Sequence, residues 1–161
     1  MAVQVDVFVD GCGVNQVEGV AIAQYQTWLQ TWLTALAPTL SPIDAYEVSL
    51  RLTNDTEIQR LNTDYRQQPN PTDVLSFAAL EADFPGSQAL LKVQPLPLGD
   101  IIISIETAAR QAPDSNHSLV QEVAWLSAHG LLHLLGWDHP DDASLERMLQ
   151  KQAYLLNLVA V

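Results

Sequence analysis

Three of the four histidines in this chain fall within one run of eleven residues, His129-Gly-Leu-Leu-His-Leu-Leu-Gly-Trp-Asp-His139. His129 and His133 are spaced i, i+4, so on a helix their imidazoles stand one turn apart on the same face. Gly136 follows where a helix commonly ends in the left-handed conformation that glycine adopts without steric cost. The chain must then turn back, which brings His139 toward the other two. Three neutral nitrogen ligands with a fourth position open are the arrangement of a catalytic zinc ion rather than a structural one. The run therefore predicts a helix, a stop, a return and a metallohydrolase site.

The spacing His-x-x-x-His-x-x-Gly-x-x-His is shared with metzincin proteases, but Gly130 stands where those enzymes carry the glutamate that serves as general base. A peptidase built on this run lacks its base. A second alternative is a non-catalytic, zinc-stabilised assembly factor, which needs a closed four-ligand site. The only cysteine, Cys12, is remote in sequence, so that fourth ligand would have to be a carboxylate. Cys12 itself, between Gly11 and Gly13, reads as a loop thiol.

The full histidine run, with its glycine after the first histidine and its aromatic-Asp-His ending, resembles the signature of the YbeY endoribonuclease family. Pro71-Thr-Asp-Val-Leu-Ser-Phe77 and Leu98-Gly-Asp-Ile-Ile-Ile-Ser104 fit the same family, as does the helix end Asn62-Thr-Asp-Tyr-Arg66 just before them. The resemblance implies His129, His133 and His139 as metal ligands and Arg66 as a catalytic residue beside the metal. It implies a single-strand-specific RNA nuclease that matures the 3′ end of small-subunit ribosomal RNA and acts in ribosome quality control. It points to ribosomal proteins or a ribosome-associated GTPase as partners, and not to DNA. A guanidinium at Arg66 suits a phosphate and the charge developing on phosphorus. The nucleophile is either a water activated by the metal or the ribose 2′-hydroxyl, and the residues leave both open. Asp138 is either a partner of the site or a turn residue, and Asp73 and Ser76 either line the cleft or serve as strand-entry and cap residues. His117 is expected to be an exposed histidine outside the site.

The charge constrains how such a protein meets RNA. Seven basic residues against 19 acidic ones give a net charge of −12, which repels a polyanion on average. RNA must be met in a local positive cleft or be delivered by other proteins. The chain opens Met1-Ala-Val-Gln-Val-Asp6, without the basic and apolar regions of a secretory signal. With a single cysteine this fits a reducing cytoplasm, and no apolar run is long enough to span a bilayer.

The periodicities predict one α+β domain over residues 1–161, a small mixed sheet packed with helices. Residues 3–10 alternate as a strand. Val17 to Leu36 carries apolar residues at helical spacing, with Trp28 and Trp32 as core. A strand at Ala45–Leu52 leads to a helix opened by Asn54 and Glu57 and closed near Tyr65 or Arg66. Val74–Ala78 reads as a strand, residues 80–97 as a long loop with Pro85, Gly86, Pro95 and Pro97, and Ile101–Ile105 as a central strand buried on both faces. A short helix spans Ser104–Gln111. After Asn116 a helix of about nineteen residues, ~28 Å long, should be the central buried element carrying the histidines. Pro140 should lie in the first turn of a last helix whose Leu145, Met148, Leu149, Leu155 and Leu156 form one apolar stripe.

Overall fold

The structure, a computed structural model, describes residues 3–79 and 88–161. Four strands form a mixed sheet: β1 (Gln4–Asp10), β2 (Ala45–Thr53), β3 (Val74–Ala78) and β4 (Leu96–Ser104), in the order β1-β2-β4-β3. β1 and β4 both run parallel to β2, and β3 is antiparallel to β4. Six helices accompany the sheet among the described residues: α1 (Ile22–Leu36), α2 (Asp55–Arg66), α3 (Gln88–Leu91), α4 (Ile105–Gln111), α5 (Leu119–Leu134) and α6 (Asp142–Asn157). This is the expected α+β class. Among the described residues, no helix is long and apolar enough to cross a membrane.

The triplet Ile101, Ile102 and Ile103 shows why β4 is central. Ile101 and Ile103 join the main core with Val48, Leu50 and Leu52 of β2 and the apolar faces of α1, α5 and α6. Ile102 points to the other face, where it packs with Ile58 of α2 and Leu75 of β3. A strand covered on both sides has no need to alternate polar and apolar residues. Trp28 and Trp32 stack in the main core with ring centroids 6.1 Å apart. The Trp32 indole N–H donates to the Leu155 carbonyl at 2.8 Å, tying α1 to α6.

Several boundaries differ from expectation, each for a local reason. α1 starts at Ile22 rather than Val17, because Gly19 takes a φ of +81° and breaks the helical path. Val17 is still buried, but in the turn that precedes the helix. β4 begins at Leu96 and includes Pro97, which the sequence places in a loop. Pro97 sits where the register between β2 and β4 shifts, and a bulge tolerates a residue without an N–H. Of the expected loop, residues 80–87 lie outside the described residues, while 88–91 form α3. α5 has 16 residues, not about nineteen, because Ser118 caps it by accepting from the Gln121 N–H. Pro140 precedes α6 instead of entering it, since Asp141 is the cap. Within α6, Leu145 and Leu149 are exposed, and the buried face is Met148, Gln152 and Leu155.

The N-termini of α2 and α4 are tied together by side-chain hydrogen bonds. Asp55 accepts from the hydroxyls of Ser104 and Thr107, both at 2.6 Å, and pairs with Arg110 at 2.8 Å. Glu106 in return accepts the Asp55 backbone N–H. Burial acts to raise the Asp55 carboxyl pKa, but the hydrogen bonds from Ser104, Thr107 and Arg110 outweigh it and hold the group below the ordinary carboxylate range. A carboxyl held below its unfolded value of about 3.9 stabilises the fold above that pH. The contribution is lost as pH falls through the lower folded value. Asp55→Asn is therefore expected to lower stability at about pH 6, with the gap to wild type closing toward about pH 2. Urea denaturation at both pH values checks this, and a gap that does not change with pH would rule out the carboxylate as its source.

Candidate metal centre

α5 places His129 and His133 on one face near its C-terminal end, and the turn beyond it carries His139. The helix stops by a Schellman arrangement: the Gly136 N–H donates to the His133 carbonyl and the Trp137 N–H to the Leu132 carbonyl, both at 3.0 Å. Gly136 adopts a φ of +95°, as the motif requires. The reversal brings His139 back, so one ligand nitrogen from each of the three histidines lies within 4.8 Å of the others.

The two helical imidazoles are oriented from behind. The His133 Nδ1 lies 2.9 Å from the Trp137 carbonyl, and the His129 Nδ1 lies 3.0 Å from Gln152 Oε1. The Gln152 amide cannot turn over freely, because its Nε2 donates to the Trp125 carbonyl at 3.3 Å. Both Nδ1 atoms thus face acceptors and carry the proton, which leaves a lone pair on each Nε2. Those two Nε2 atoms stand 3.0 Å apart. Two lone pairs aimed at each other at that distance repel unless a Lewis acid lies between them, so the donor set fits a metal ion. Burial, and then repulsion from His129, push the His133 imidazole below its ordinary range, and the Trp137 carbonyl only partly opposes this. A depressed value keeps His133 neutral, and available as a ligand, to lower pH than a free imidazole.

The imidazoles of His129 and His133 open onto a cleft of about 490 Å³ lined by Arg66, Ser76, Trp137 and Asp138 among others. Arg66, the last residue of α2, donates from Nη2 to the Ser76 carbonyl at 2.7 Å, and its guanidinium lies over the Phe77 ring, 5.2 Å from the centroid. It does not bind the last carbonyls of its own helix in place of the cleft. Ser76 in turn donates from its hydroxyl to the Gly130 carbonyl at 3.3 Å, which links β3 to the helix of the histidines. Asp138 lines the cleft, while its carboxylate accepts the His139 backbone N–H at 2.8 Å, the role of a turn residue. Asp73 likewise accepts a neighbouring N–H, that of Val74.

Gly130 is buried against the sheet. A Cβ there would stand 2.6 Å from Cγ2 of Ile101 and 3.2 Å from the Ser76 hydroxyl. A side chain at this position would collide with Ile101 of β4, so a glutamate could enter only if α5 or β4 shifted. His117 is not exposed as expected. It is half-buried, with Nδ1 2.8 Å from the buried Glu122 carboxylate and its ring beside Trp125. Gln152 is the residue that sequence reasoning missed. Its one local sign is a polar side chain on the Met148-Gln152-Leu155 face that α6 otherwise buries with apolar residues.

Fold and cleft together define a small α+β protein that converges three imidazoles beside an arginine. The model of the family described as endoribonuclease YbeY matches residues 14–160. Endoribonuclease YbeY of Trichormus variabilis is 56% identical over 142 residues, covering 88% of this chain and 80% of that protein. The Synechocystis protein of the same description is 49% identical over 159 residues, covering 99% of this chain and 89% of its own length. A solution structure of a Thermotoga maritima protein aligns with a TM-score of 0.58 over 94% of this chain and 87% of that one. At 24% identity it supports the fold alone. The chain belongs to the endoribonuclease YbeY family.

Since Gln152 orients His129 without contacting the cleft, Gln152→Leu is expected to weaken zinc binding by about 10–100-fold. Competition with a chromophoric chelator measures this, with circular dichroism to check that α6 remains folded. Zinc affinity equal to wild type in a folded variant would remove Gln152 from the account.

Proposed function

We propose that residues 1–161 act as a single-domain, metal-dependent endoribonuclease on single-stranded RNA. In this reading His129, His133 and His139 hold one zinc ion and Arg66 binds the scissile phosphate. The observation that carries it is the pair of Nε2 lone pairs directed at one point by Gln152 and the Trp137 carbonyl, beside a cleft walled by Arg66. A zinc ion held there by His129, His133 and His139 would supply an electrophile for a phosphoryl oxygen and a more acidic water.

The other roles belong to side chains. Arg66 has one donor engaged by Ser76 and its plane held by Phe77, which leaves further N–H groups for a phosphate. A positioned guanidinium offsets the negative charge that develops as the phosphodiester is attacked. Position 130 carries no carboxylate and packs on Ile101, which speaks against a glutamate-based peptidase mechanism. Membership of the family supports the finer reading, in which the RNA is ribosomal, the cut matures the small-subunit 3′ end in the cytoplasm, and the enzyme serves ribosome quality control. A net charge of −12 favours delivery of that RNA by ribosomal proteins or a ribosome-associated GTPase.

End-labelled single-stranded RNA incubated with zinc-loaded protein tests the proposal. His133→Ala is expected to abolish cleavage, and Arg66→Ala to lower kcat by about 10²–10³-fold. A 2′,3′-cyclic phosphate on the product would identify the ribose hydroxyl as nucleophile. Equal cutting by wild type and both variants would contradict the assignment.

A further inference from the structure

Only seven basic residues offset the 19 acidic ones, and they are unevenly used. Arg51 is paired with Asp10 and Glu57, and Arg110 with Asp55. Among the described residues, no carboxylate lies within salt-bridge distance of the other five, Arg60, Lys92, Arg66, Arg147 and Lys151, of which the last three stand at or next to the histidine cleft. Arg66 lines the histidine cleft. Arg147 and Lys151 line a second hollow that shares the wall residue Trp137 with that cleft.

Arg147, Lys151 and Tyr154 are spaced i, i+4, i+7 on α6 and therefore share one face. Each stands one residue before a member of the buried face Met148, Gln152 and Leu155. One side of α6 thus supports His129 through Gln152, while the adjoining side looks outward. There, a hollow of about 310 Å³ is lined by Trp137, Arg147, Gln150, Lys151 and Tyr154. The Lys151 ammonium lies between two aromatic rings, 6.0 Å from the Trp137 centroid and 5.3 Å from that of Tyr154. Tyr154 is 50% exposed.

A lysine stem lying over one aromatic ring is ordinary surface packing. Two rings flanking one lysine, with Arg147 one helical turn away and Trp137 shared with the proposed RNA cleft, match the pattern that holds single strands. Bases stack on aromatic faces and cations follow the phosphates between them. We propose that Trp137, Lys151, Tyr154 and Arg147 form a track for the single-stranded RNA segment that flanks the scissile phosphate. Nucleobases stack on Trp137 and Tyr154, and Lys151 and Arg147 neutralise the backbone. The track rests on the nuclease reading of the histidine cleft and gives this acidic protein its local positive surface.

The test compares a short RNA of about three nucleotides with one of about twelve, using wild type and Lys151→Gln/Tyr154→Ala. The preference for the longer strand, as the ratio of the two kcat/KM values, is expected to fall roughly tenfold in the variant. The log–log salt slope of long-strand affinity should lessen by about 0.7 for the lost cation. A folding defect would lower both substrates alike and leave the ratio unchanged. An unchanged ratio and salt slope would overturn the track while leaving the metal cleft intact. If wild type cuts neither RNA, fluorescence anisotropy of the labelled twelve-nucleotide strand decides. Salt-dependent binding that the variant loses keeps the track without the nuclease, and equal binding by both proteins refutes it.

Discussion

Gly130 lets α5 lie against β4 more closely than any side chain would allow, with Ile101 occupying the space where a Cβ would be. That approach puts the α5 backbone within reach of Ser76 on β3, and Ser76 in turn holds Arg66 at the end of α2. Arginine and histidines, more than sixty residues apart in the chain, therefore share a cleft because one helix packs tightly on one pair of strands. Enlarging position 130 would lift the helix and separate the two halves of the site.

A second layer of constraint comes from behind the imidazoles. Trp125 orients Gln152, Gln152 orients His129, and the Schellman turn at Gly136 supplies the Trp137 carbonyl that orients His133. Two of these contacts use backbone carbonyls, whose positions are set by the helix and its stop signal. The third uses the only polar side chain on the buried face of α6. The helix that closes the core against Trp32 is thus also the one that sets the direction of a candidate ligand.

What could be read from the residues was what depends on local periodicity. The i, i+4 histidines, the Gly136 stop, the Asn54 cap and the isoleucine run of β4 all follow from short-range patterns, and the structure contains each of them. What could not be read depends on docking. Gln152 meets His129 across 23 residues, and its one local sign, a polar residue among apolar ones, does not reveal its partner. Leu145 and Leu149 look like core by spacing, yet the rotation at which α6 docks leaves them exposed. Pro97 reads as loop until its place at a bulge is known, and Val17 reads as helix because a buried turn residue is as apolar as a helical one. Arg66 is legible as a helix-terminal cation, but its contacts with Ser76 and Phe77 exist only once β3 takes its register beside β4.

In the proposed site, His129, His133 and His139 hold one zinc ion together. X-ray absorption spectroscopy of zinc-loaded protein, with the metal content measured on the same sample, tests it most directly. One zinc per chain with three nitrogen neighbours and one oxygen at about 2.0–2.1 Å is expected, with loss of one nitrogen neighbour in His139→Ala. A zinc ion closed by a fourth protein ligand, or the absence of stoichiometric zinc, would contradict it.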